Sequence, residues 1–439
     1  MIILIHLLKL TAMAIYFKKK LALSPKAFAK TGGLILVFCS CLTPVCSQGW
    51  EADPAVVERL SKSRTEFNYY EEKVPEYALP EILANSTGVS IAKPGEWTKG
   101  RRAEVLELFR ENVYGRVPST PYSKTFRLVN EDKNAMGGAA TLKQIDIVIN
   151  SEGKELKIRL TLFVPNNIKK PVPAFLLIDN RGPANTDPTR QTKSEFWPAE
   201  EVVKRGYAIA VFYNSDVDPD NFDDFKNGIH GVLDRGTRQG DSWGTLAAWA
   251  WGASRCMDYF ETDKDIDRKK VAVLGHSRGG KTALWAGAED QRFSLVISNE
   301  SGAGGAALAR RRLGETVSRI NTSFPHWFCL NYRKYNNNEN AMPVDMHMLL
   351  GLIAPRALYV ACADEDLWGD PKGSYLSLYN ALPVYKLLKT GSTLPEAMPP
   401  LNKPVAGGKV AFHIRDGSHN LLLKDWNWYM DFADILWKR

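Results

Sequence analysis

The sequence predicts an α/β fold in which helices flank a central, mainly parallel β-sheet. Beyond residue 170, short and continuously apolar runs recur along the chain, and such runs are typical of strands that are buried on both faces. Helical stretches lie between several of these runs, and alternating β and α elements indicate a parallel sheet. Two earlier segments instead alternate apolar residues with others, which predicts an antiparallel strand pair on the N-terminal side of the sheet.

The first predicted helix covers residues 101–114, where apolar residues recur at helical spacing until Gly115 interrupts them. The antiparallel pair follows at 142–149 and 156–164. Five buried strands and two helices come later; the strands are at 174–178, 208–212, 271–274, 295–297 and 357–361, and the helices are at 245–259 and 281–288. We therefore expect one large domain over 96–439, preceded by an N-terminal extension over 48–95.

Residues 1–47 form a basic and apolar segment that we interpret as a leader outside the fold. Its six lysines are accompanied by no acidic residue, and an apolar run at 33–42 precedes small residues that end at Ser47. This arrangement is typical of a secretory signal peptide, and we predict cleavage before Gln48. The protein is then exported to the periplasm or the medium, with no membrane span in the mature chain. Met13 is an alternative start, and a lipid anchor on a leader cysteine stays open although none follows a good lipobox.

The net charge of +8 arises mostly from this leader. Without its six lysines, 51 basic residues face 49 acidic ones, which leaves a net charge of +2. A nucleic-acid-binding protein needs a clustered positive surface, so the composition argues against nucleic acid as a partner. Hydrophobic residues at 44% and charged residues at 24% are ordinary for a globular protein with a sizeable core.

Three cysteines, Cys256, Cys329 and Cys362, remain in the predicted mature chain. They are too far apart in the sequence for a metal site, and at most one disulfide can join two of them. Cysteines outside such a bond are expected to be buried thiols.

The segment Gly275-His-Ser277-Arg-Gly279 predicts a nucleophilic serine. It follows the buried strand at 271–274 and precedes an apolar helix, which is the context of a nucleophile elbow. The flanking glycines allow a sharp turn that lifts the serine above the sheet and leaves the next backbone N–H facing an oxyanion. The motif alone recurs by chance, but the strand before it and the helix after it together predict an α/β-hydrolase fold with Ser277 as nucleophile.

A serine hydroxyl needs a general base, which chain order in this fold places after the acid and after the last strand. Among the seven histidines, His413 lies in the apparent final strand and His419 lies in the loop that follows it. We therefore predict His419 as the base. Two carboxylates compete for the role of acid, Glu300 after one strand and Asp366 after the next. The usual topology favours the later position, and both residues also have ordinary explanations as loop acids.

Two cations follow the serine directly. Arg278 and Lys281 lie in the first turn of the predicted helix, where the helix dipole is already positive, so their placement is electrostatically costly. They could be surface cations that extend to water. We favour a functional role, in which Arg278 stabilises an oxyanion and Lys281 holds an oxygen-rich substrate.

The run Ser277-Arg278-Gly279-Gly280-Lys281 resembles the elbow of the glucuronoyl esterases, carbohydrate esterase family 15. The likeness extends from about Leu106, through Tyr114-Gly-Arg-Val-Pro118, to Trp428. The resemblance implies a serine esterase that cleaves esters of glucuronic or 4-O-methyl-glucuronic acid in glucuronoxylan, as in lignin-carbohydrate linkages. It implies neither a metal nor a cofactor, and its partners would be plant cell-wall polymers.

The resemblance also implies site residues. Glu300 occupies the family's usual position for the acid, and Asp366 matches an aspartate that many bacterial members keep. Arg278 would help to form the oxyanion hole, and Lys281, Glu315 and Trp368 would line the sugar pocket. Fungal members have a cysteine before the serine, bridged to the region of the histidine, whereas this chain has His276 there, so the bacterial branch is the better match.

Other functions stay open at this point. An acetylxylan or feruloyl esterase would use the same fold, and fold alone does not decide between these substrates. A different hypothesis is a carbohydrate-binding protein that has a hydrolase fold but no catalytic activity. It is supported by the twelve tryptophans, which could stack on sugars. The intact Ser277, His419 and Glu300 argue against it. A serine peptidase is a lesser alternative.

Overall fold

A ten-stranded mixed β-sheet forms the centre of the computed structural model, which describes residues 49–169 and 171–439. In chain order, the strands are β1 (Ser123–Ala135), β2 (Ala140–Ser151), β3 (Lys154–Pro165), β4 (Val172–Asp179), β5 (Ala208–Tyr213), β6 (Ile266–His276), β7 (Leu295–Asn299), β8 (Ala357–Ala363), β9 (Val405–Gly407) and β10 (Val410–Arg415). Their order across the sheet is β1-β2-β3-β5-β4-β6-β7-β8-β10-β9.

The six neighbouring strands from β5 to β10 in this order pair in parallel, so the prediction of a mainly parallel sheet is confirmed. The predicted antiparallel pair corresponds to β2 and β3. A third antiparallel strand, β1, lies outside them and was not predicted. Its thirteen residues are almost all exposed and carry mixed charges, so they lack the apolar alternation that reveals a half-buried strand.

Eleven α-helices accompany the sheet in the described residues. They are α1 (Pro54–Ser63), α2 (Pro94–Glu96), α3 (Arg102–Phe109), α4 (Ala199–Lys204), α5 (Gly228–Leu233), α6 (Thr245–Phe260), α7 (Arg278–Glu289), α8 (Val317–Ser323), α9 (Met346–Gly351), α10 (Pro371–Leu387) and α11 (Leu423–Trp437). The helix predicted at 101–114 corresponds to α3 and the π-helical turn that follows it. None of the helices in this part of the chain is long and apolar enough to cross a membrane.

The two faces of the sheet bury separate sets of side chains. All eight residues of β4 are buried; Leu176 and Ile178 pack among residues of α6, α7 and α10, whereas Phe175 and Leu177 pack among residues of α4 and α11. Successive side chains of a strand point to opposite faces, so a continuous apolar run supplies both cores. At about 1.5–3 kcal/mol for each fully buried large apolar side chain, these two cores are the main source of stability.

The segment between residue 49 and the first predicted helix contains α1, which the sequence pattern did not reveal. Asp53 caps this helix by accepting a hydrogen bond from the N–H of Ala55 at 2.8 Å, and Pro54 begins it. Val56 is buried in a small cluster with Tyr69 and Leu367, at the loop that follows β8. The predicted extension is therefore packed against the sheet domain close to the ends of its strands.

The structure tests the predictions for the three cysteines of the mature chain but not those for the leader. The leader over 1–47, its cysteines, the cleavage site before Gln48 and the alternative start at Met13 lie outside the described residues. Cys256, Cys329 and Cys362 are all buried free thiols, so no disulfide joins any two of them.

Candidate active site

The predicted catalytic residues follow the carboxyl ends of neighbouring parallel strands. β6 ends one residue before Ser277 and β7 one residue before Glu300. Asp366 comes three residues after β8, and His419 comes four residues after β10. Because the carboxyl ends of parallel strands meet at one edge of a sheet, these four residues come together although the sequence separates them widely.

Ser277 lies in a strained turn between β6 and α7. Its φ of 57° and ψ of −123° are unfavourable for a residue with a side chain, and its N–H donates to the carbonyl oxygen of Asn299 at 2.9 Å. The turn is so tight that a Cβ on Gly275 would lie 1.9 Å from the carbonyl oxygen of Gly279. Only glycine fits there, so the glycine of the motif has a steric function.

His419 contacts both candidate acids through the same ring nitrogen. Its Nδ1 lies 2.7 Å from Oδ2 of Asp366 and 3.1 Å from Oε2 of Glu300, and the imidazole exposes 40% of its side chain. Carboxylates can only accept, so Nδ1 carries the hydrogen and leaves Nε2 free to take a proton. Burial alone would lower the pKa of His419, but the charges of Asp366 and Glu300 hold that pKa above its ordinary value.

Glu300 belongs to a buried ion-pair network. Nη2 of Arg415 donates to its Oε1 at 2.6 Å, and the N–H of Asn420 donates to its Oε2 at 3.0 Å. Nε of Arg415 also donates to Asp425 at 3.1 Å, and its Nη2 reaches two carbonyl oxygens of the loop that carries His419. Burial raises the pKa of Glu300 above its ordinary value, although the contacts with His419 and Arg415 oppose the shift. Arg415 thus fixes both the acid and the histidine loop.

Arg278 is held by an acidic group that sequence reasoning missed. Its Nη1 donates to Oδ2 of Asp220, and its guanidinium lies 4.8 Å from the ring centroid of Trp327. The other carboxylate oxygen of Asp220 accepts from Nε1 of Trp327 at 2.8 Å and from Nε2 of His326 at 3.0 Å. Burial would raise the pKa of Asp220, but these donors and the charge of Arg278 hold it below its ordinary value. The carboxylate therefore stays charged and fixes the guanidinium.

Lys281 is buried rather than extended to water. Its Nζ donates to the carbonyl oxygen of Ser301 at 2.6 Å and lies 3.3 Å from Oε2 of Glu315. Burial lowers the pKa of Lys281 in spite of the charge of Glu315. The N–H of Glu315 donates to the carbonyl oxygen of Trp368 at 3.0 Å. The three residues assigned to a sugar pocket are thus neighbours.

One cavity of about 260 Å³ is lined by all eight predicted site residues. They are Ser277, Arg278, Lys281, Glu300, Glu315, Asp366, Trp368 and His419. Arg64, Phe324 and Trp327 complete much of the wall. The cavity combines a serine hydroxyl, a carboxylate-bound imidazole, two cations and aromatic surfaces, and such groups can together support cleavage of an ester on a sugar.

His276, the residue before the serine, packs against the ring of His419. Its ring lies 4.5 Å from that of His419 and is fully buried. Nδ1 contacts Oδ1 of Asn299 at 2.6 Å, and Nε2 contacts a guanidinium nitrogen of Arg181 at 3.0 Å. Burial and the charges of His419 and Arg181 hold the pKa of His276 well below its ordinary value. Its two ring nitrogens are engaged, and a neighbouring guanidinium opposes a cation there, so a metal does not fit this cluster.

Comparison with known proteins identifies the family. Residues 147–389 match the family model described as glucuronyl esterase, fungi, which is more than half of the chain. The chain belongs to the glucuronoyl esterase family. The predicted resemblance and the prediction of a carboxylic ester hydrolase are therefore confirmed.

The relatives of this glucuronoyl esterase include bacterial proteins over nearly its whole length. A carbohydrate esterase from an unknown prokaryotic organism is 41% identical over 420 residues, which cover 89% of this chain and 96% of that protein. The solved glucuronoyl esterase from Solibacter usitatus is 40% identical, with a TM-score of 0.78 over 83% of this chain and 100% of the other. The 4-O-methyl-glucuronoyl methylesterase 1 of Phanerochaete chrysosporium is 29% identical over 326 residues, or 71% of this chain and 62% of that protein. The α/β-hydrolase fold and the likeness to the bacterial branch are thus confirmed.

Three residues of the site in this glucuronoyl esterase were not found from the sequence. Asp220 follows β5 within the run Asp216-Val-Asp-Pro-Asp220, and an acidic run just after a buried strand is a signal that could have drawn attention to it. Arg415 ends the last parallel strand, where a fully buried cation needs a carboxylate partner. Arg64 lies in the N-terminal extension, and no motif in the sequence marks it.

Proposed function

We propose that this protein hydrolyses esters whose acid is glucuronic or 4-O-methyl-glucuronic acid, as in lignin-carbohydrate esters of glucuronoxylan. The observation that carries the proposal is the convergence of Arg278 and Lys281 on the cavity that holds Ser277 and His419. A small acyl group such as acetate needs no cations beside the nucleophile. A sugar acid offers hydroxyl and ring oxygens, and hydrogen bonds from charged donors to such oxygens are strong.

In the proposed mechanism, His419 takes the proton of Ser277 as the serine oxygen attacks the ester carbonyl at the sixth carbon of the glucuronate. The guanidinium of Arg278 and the adjacent backbone N–H hold the negative oxygen of the tetrahedral intermediate. The C–O bond to the alcohol then breaks, and the alcohol leaves with the proton from His419. Water next gives a proton to His419 and attacks the acyl carbon, which releases the sugar acid and restores Ser277.

In this mechanism both acids, Glu300 and Asp366, stabilise the imidazole of His419. Glu300 and Asp366 both accept from Nδ1–H of His419, which fixes its tautomer and stabilises the positive charge that it gains. Lys281, Glu315 and Trp368 bind the sugar in this proposal, with Trp368 offering a flat apolar face. The chemistry requires neither a metal nor a cofactor.

We also propose that the protein acts outside the cytoplasm, on plant cell-wall polymers. The support is the leader over 1–47, with its lysines, its apolar run and its small residues before Gln48. Release of the mature protein from expressing cells, with an N-terminus at or near Gln48 by sequencing, would be the expected outcome.

The direct test compares alcohol release from benzyl glucuronate, methyl 4-O-methyl-glucuronate and p-nitrophenyl acetate, for the unmodified protein and for Ser277→Ala. We expect a preference for the glucuronate esters that the alanine variant abolishes. Turnover of acetate alone would favour an acetylxylan or feruloyl esterase, and a solved relative at 41% identity is described as a promiscuous esterase. No serine-dependent turnover of any ester would contradict the proposal.

A further inference from the structure

The N-terminal extension contributes a cation to the reaction cavity. Arg64, at the C-terminal end of α1, lines the same cavity as Ser277 and His419, although it lies more than 200 residues before them. The residues matched by the family model begin only at 147. This cation therefore comes from outside the residues that the family model matches.

Packing fixes the segment that carries Arg64. Phe67 meets the ring of Trp368 edge to face, with 4.7 Å between the centroids, and the carbonyl oxygen of Asn68 accepts from the N–H of Gly314 at 2.8 Å. Val56, Tyr69 and Leu367 form the buried cluster beneath. The extension is thus attached to the two loops that carry Glu315 and Trp368.

The guanidinium of Arg64 lies over the ring of Trp368, on the sugar side of the cavity. Its central carbon is 4.4 Å from the ring centroid of Trp368. Within 49–169 and 171–439, no carboxylate lies within ion-pair distance of Arg64. A guanidinium has five N–H donors, so contact with an aromatic ring leaves some of them for other acceptors, and hydroxyl and ether oxygens of a sugar suit them.

We infer that Arg64 is a specificity-determining residue that binds the saccharide to which the glucuronate is attached, so that the enzyme prefers glucuronate esters carried on a sugar chain. Arg64 contacts Trp368, whereas Arg278 and His419 surround the ester. In this inference, the oxygens that reach Arg64 belong to the part of the substrate beyond the glucuronate ring, on its sugar side. The inference rests on the proposed function and adds a second sugar position to it.

The test uses two benzyl esters, one of glucuronate alone and one of glucuronate linked to xylotriose. We expect Arg64→Gln to reduce kcat/KM for the oligosaccharide ester by about 5- to 30-fold, through KM, since a hydrogen bond to a charged group is lost. The rate with the monosaccharide ester should change by less than about twofold. Arg64→Lys keeps the charge but loses the planar guanidinium. Its kcat/KM for the oligosaccharide ester should therefore lie between that of the unmodified protein and that of Arg64→Gln.

Arg319→Gln is the matched control, because Arg319 lies over Phe67 of the same aromatic group at 5.7 Å and does not line the cavity. This variant should leave kcat/KM unchanged for both esters. Equal losses on the two esters in the Arg64 variants, or no loss on the oligosaccharide ester, would overturn the inference. If the unmodified protein cleaves neither glucuronate ester, the proposed function fails and the inference fails with it. Arg64→Lys gives the answer if Arg64→Gln does not fold.

Discussion

Replacing Asp220 by asparagine should impair catalysis through the oxyanion contact. Asparagine keeps one oxygen for Trp327 and His326 but presents an amide N–H₂ where Nη1 of Arg278 now donates. Among the described residues, Asp220 is the one carboxylate that pairs with Arg278, so the substitution removes that ion pair. Nε of Arg278 is already buried without a partner and cannot replace the lost contact. A hydrogen bond to a charged group contributes about 1.5–3 kcal/mol.

That range corresponds to a loss of about 10- to 150-fold in kcat if the whole contact is expressed in the transition state. Removal of a complete oxyanion donor costs about 10²–10³-fold in enzymes that have been tested, which sets the upper limit. The assay is release of benzyl alcohol from benzyl glucuronate, with kcat and KM determined separately. KM should change little, because the contact acts on a charge that develops only after attack.

Asp223→Asn supplies the control, since Asp223 lies in the same loop and accepts from Nδ2 of Asn227 at 2.7 Å without lining the cavity. It should retain kcat within about twofold, as surface changes of this kind cost little. If Asp220 acts through Arg278, adding Asp220→Asn to Arg278→Met should cost almost nothing further. Full activity of Asp220→Asn, or additive losses in the double variant, would refute the reasoning.

Three further predictions concern the acids and the elbow. In Asp366→Asn, loss of a charge 2.7 Å from Nδ1 lowers the pKa of His419, so the acidic limb of the kcat/KM profile should move to lower pH; movement to higher pH would contradict the assignment. Glu300→Gln breaks a buried ion pair and should lower the free energy of unfolding by about 3–5 kcal/mol, measured by chemical denaturation. Gly275→Ala should reduce kcat by about 10²-fold or more, because its Cβ would lie 1.9 Å from the carbonyl oxygen of Gly279 and displace the serine; unchanged labelling by a fluorophosphonate would argue otherwise.

The parts of the site that could be predicted are those that local sequence determines. Ser277 is recognisable because the strand, the two glycines and the helix are contiguous, and each has a steric reason. The place of His419 in the cavity could be predicted because chain order in the fold puts the expected base in the loop after the last strand. The buried parallel strands could be predicted for a similar reason. A strand such as β4 packs against a core on each face, so its sequence is continuously apolar and is recognised easily.

The parts that could not be predicted depend on contacts between distant segments. Asp220 is one of several acids in its loop, and only the folded chain shows that it meets Arg278, 58 residues later. Arg64 reaches the cavity through packing of α1 on the loop after β8, which no periodicity in the extension reveals. Strand β1 could not be predicted because its residues are almost all exposed, so its sequence lacks the alternation of apolar and polar residues that indicates a strand.

Glu300 and Asp366 both contact His419, but the two acids have different surroundings. Glu300 pairs with Arg415 at 2.6 Å, which balances part of its charge, and it also holds the histidine loop through the N–H of Asn420. Asp366 forms its one ion pair in the described chain with His419, so its charge acts on the imidazole without compensation. Removing Glu300 should therefore affect mainly the position of the imidazole and the stability of its loop, and removing Asp366 should affect mainly its basicity. We therefore propose that this chain uses both carboxylates, Glu300 to place the imidazole of His419 and Asp366 to set its pKa.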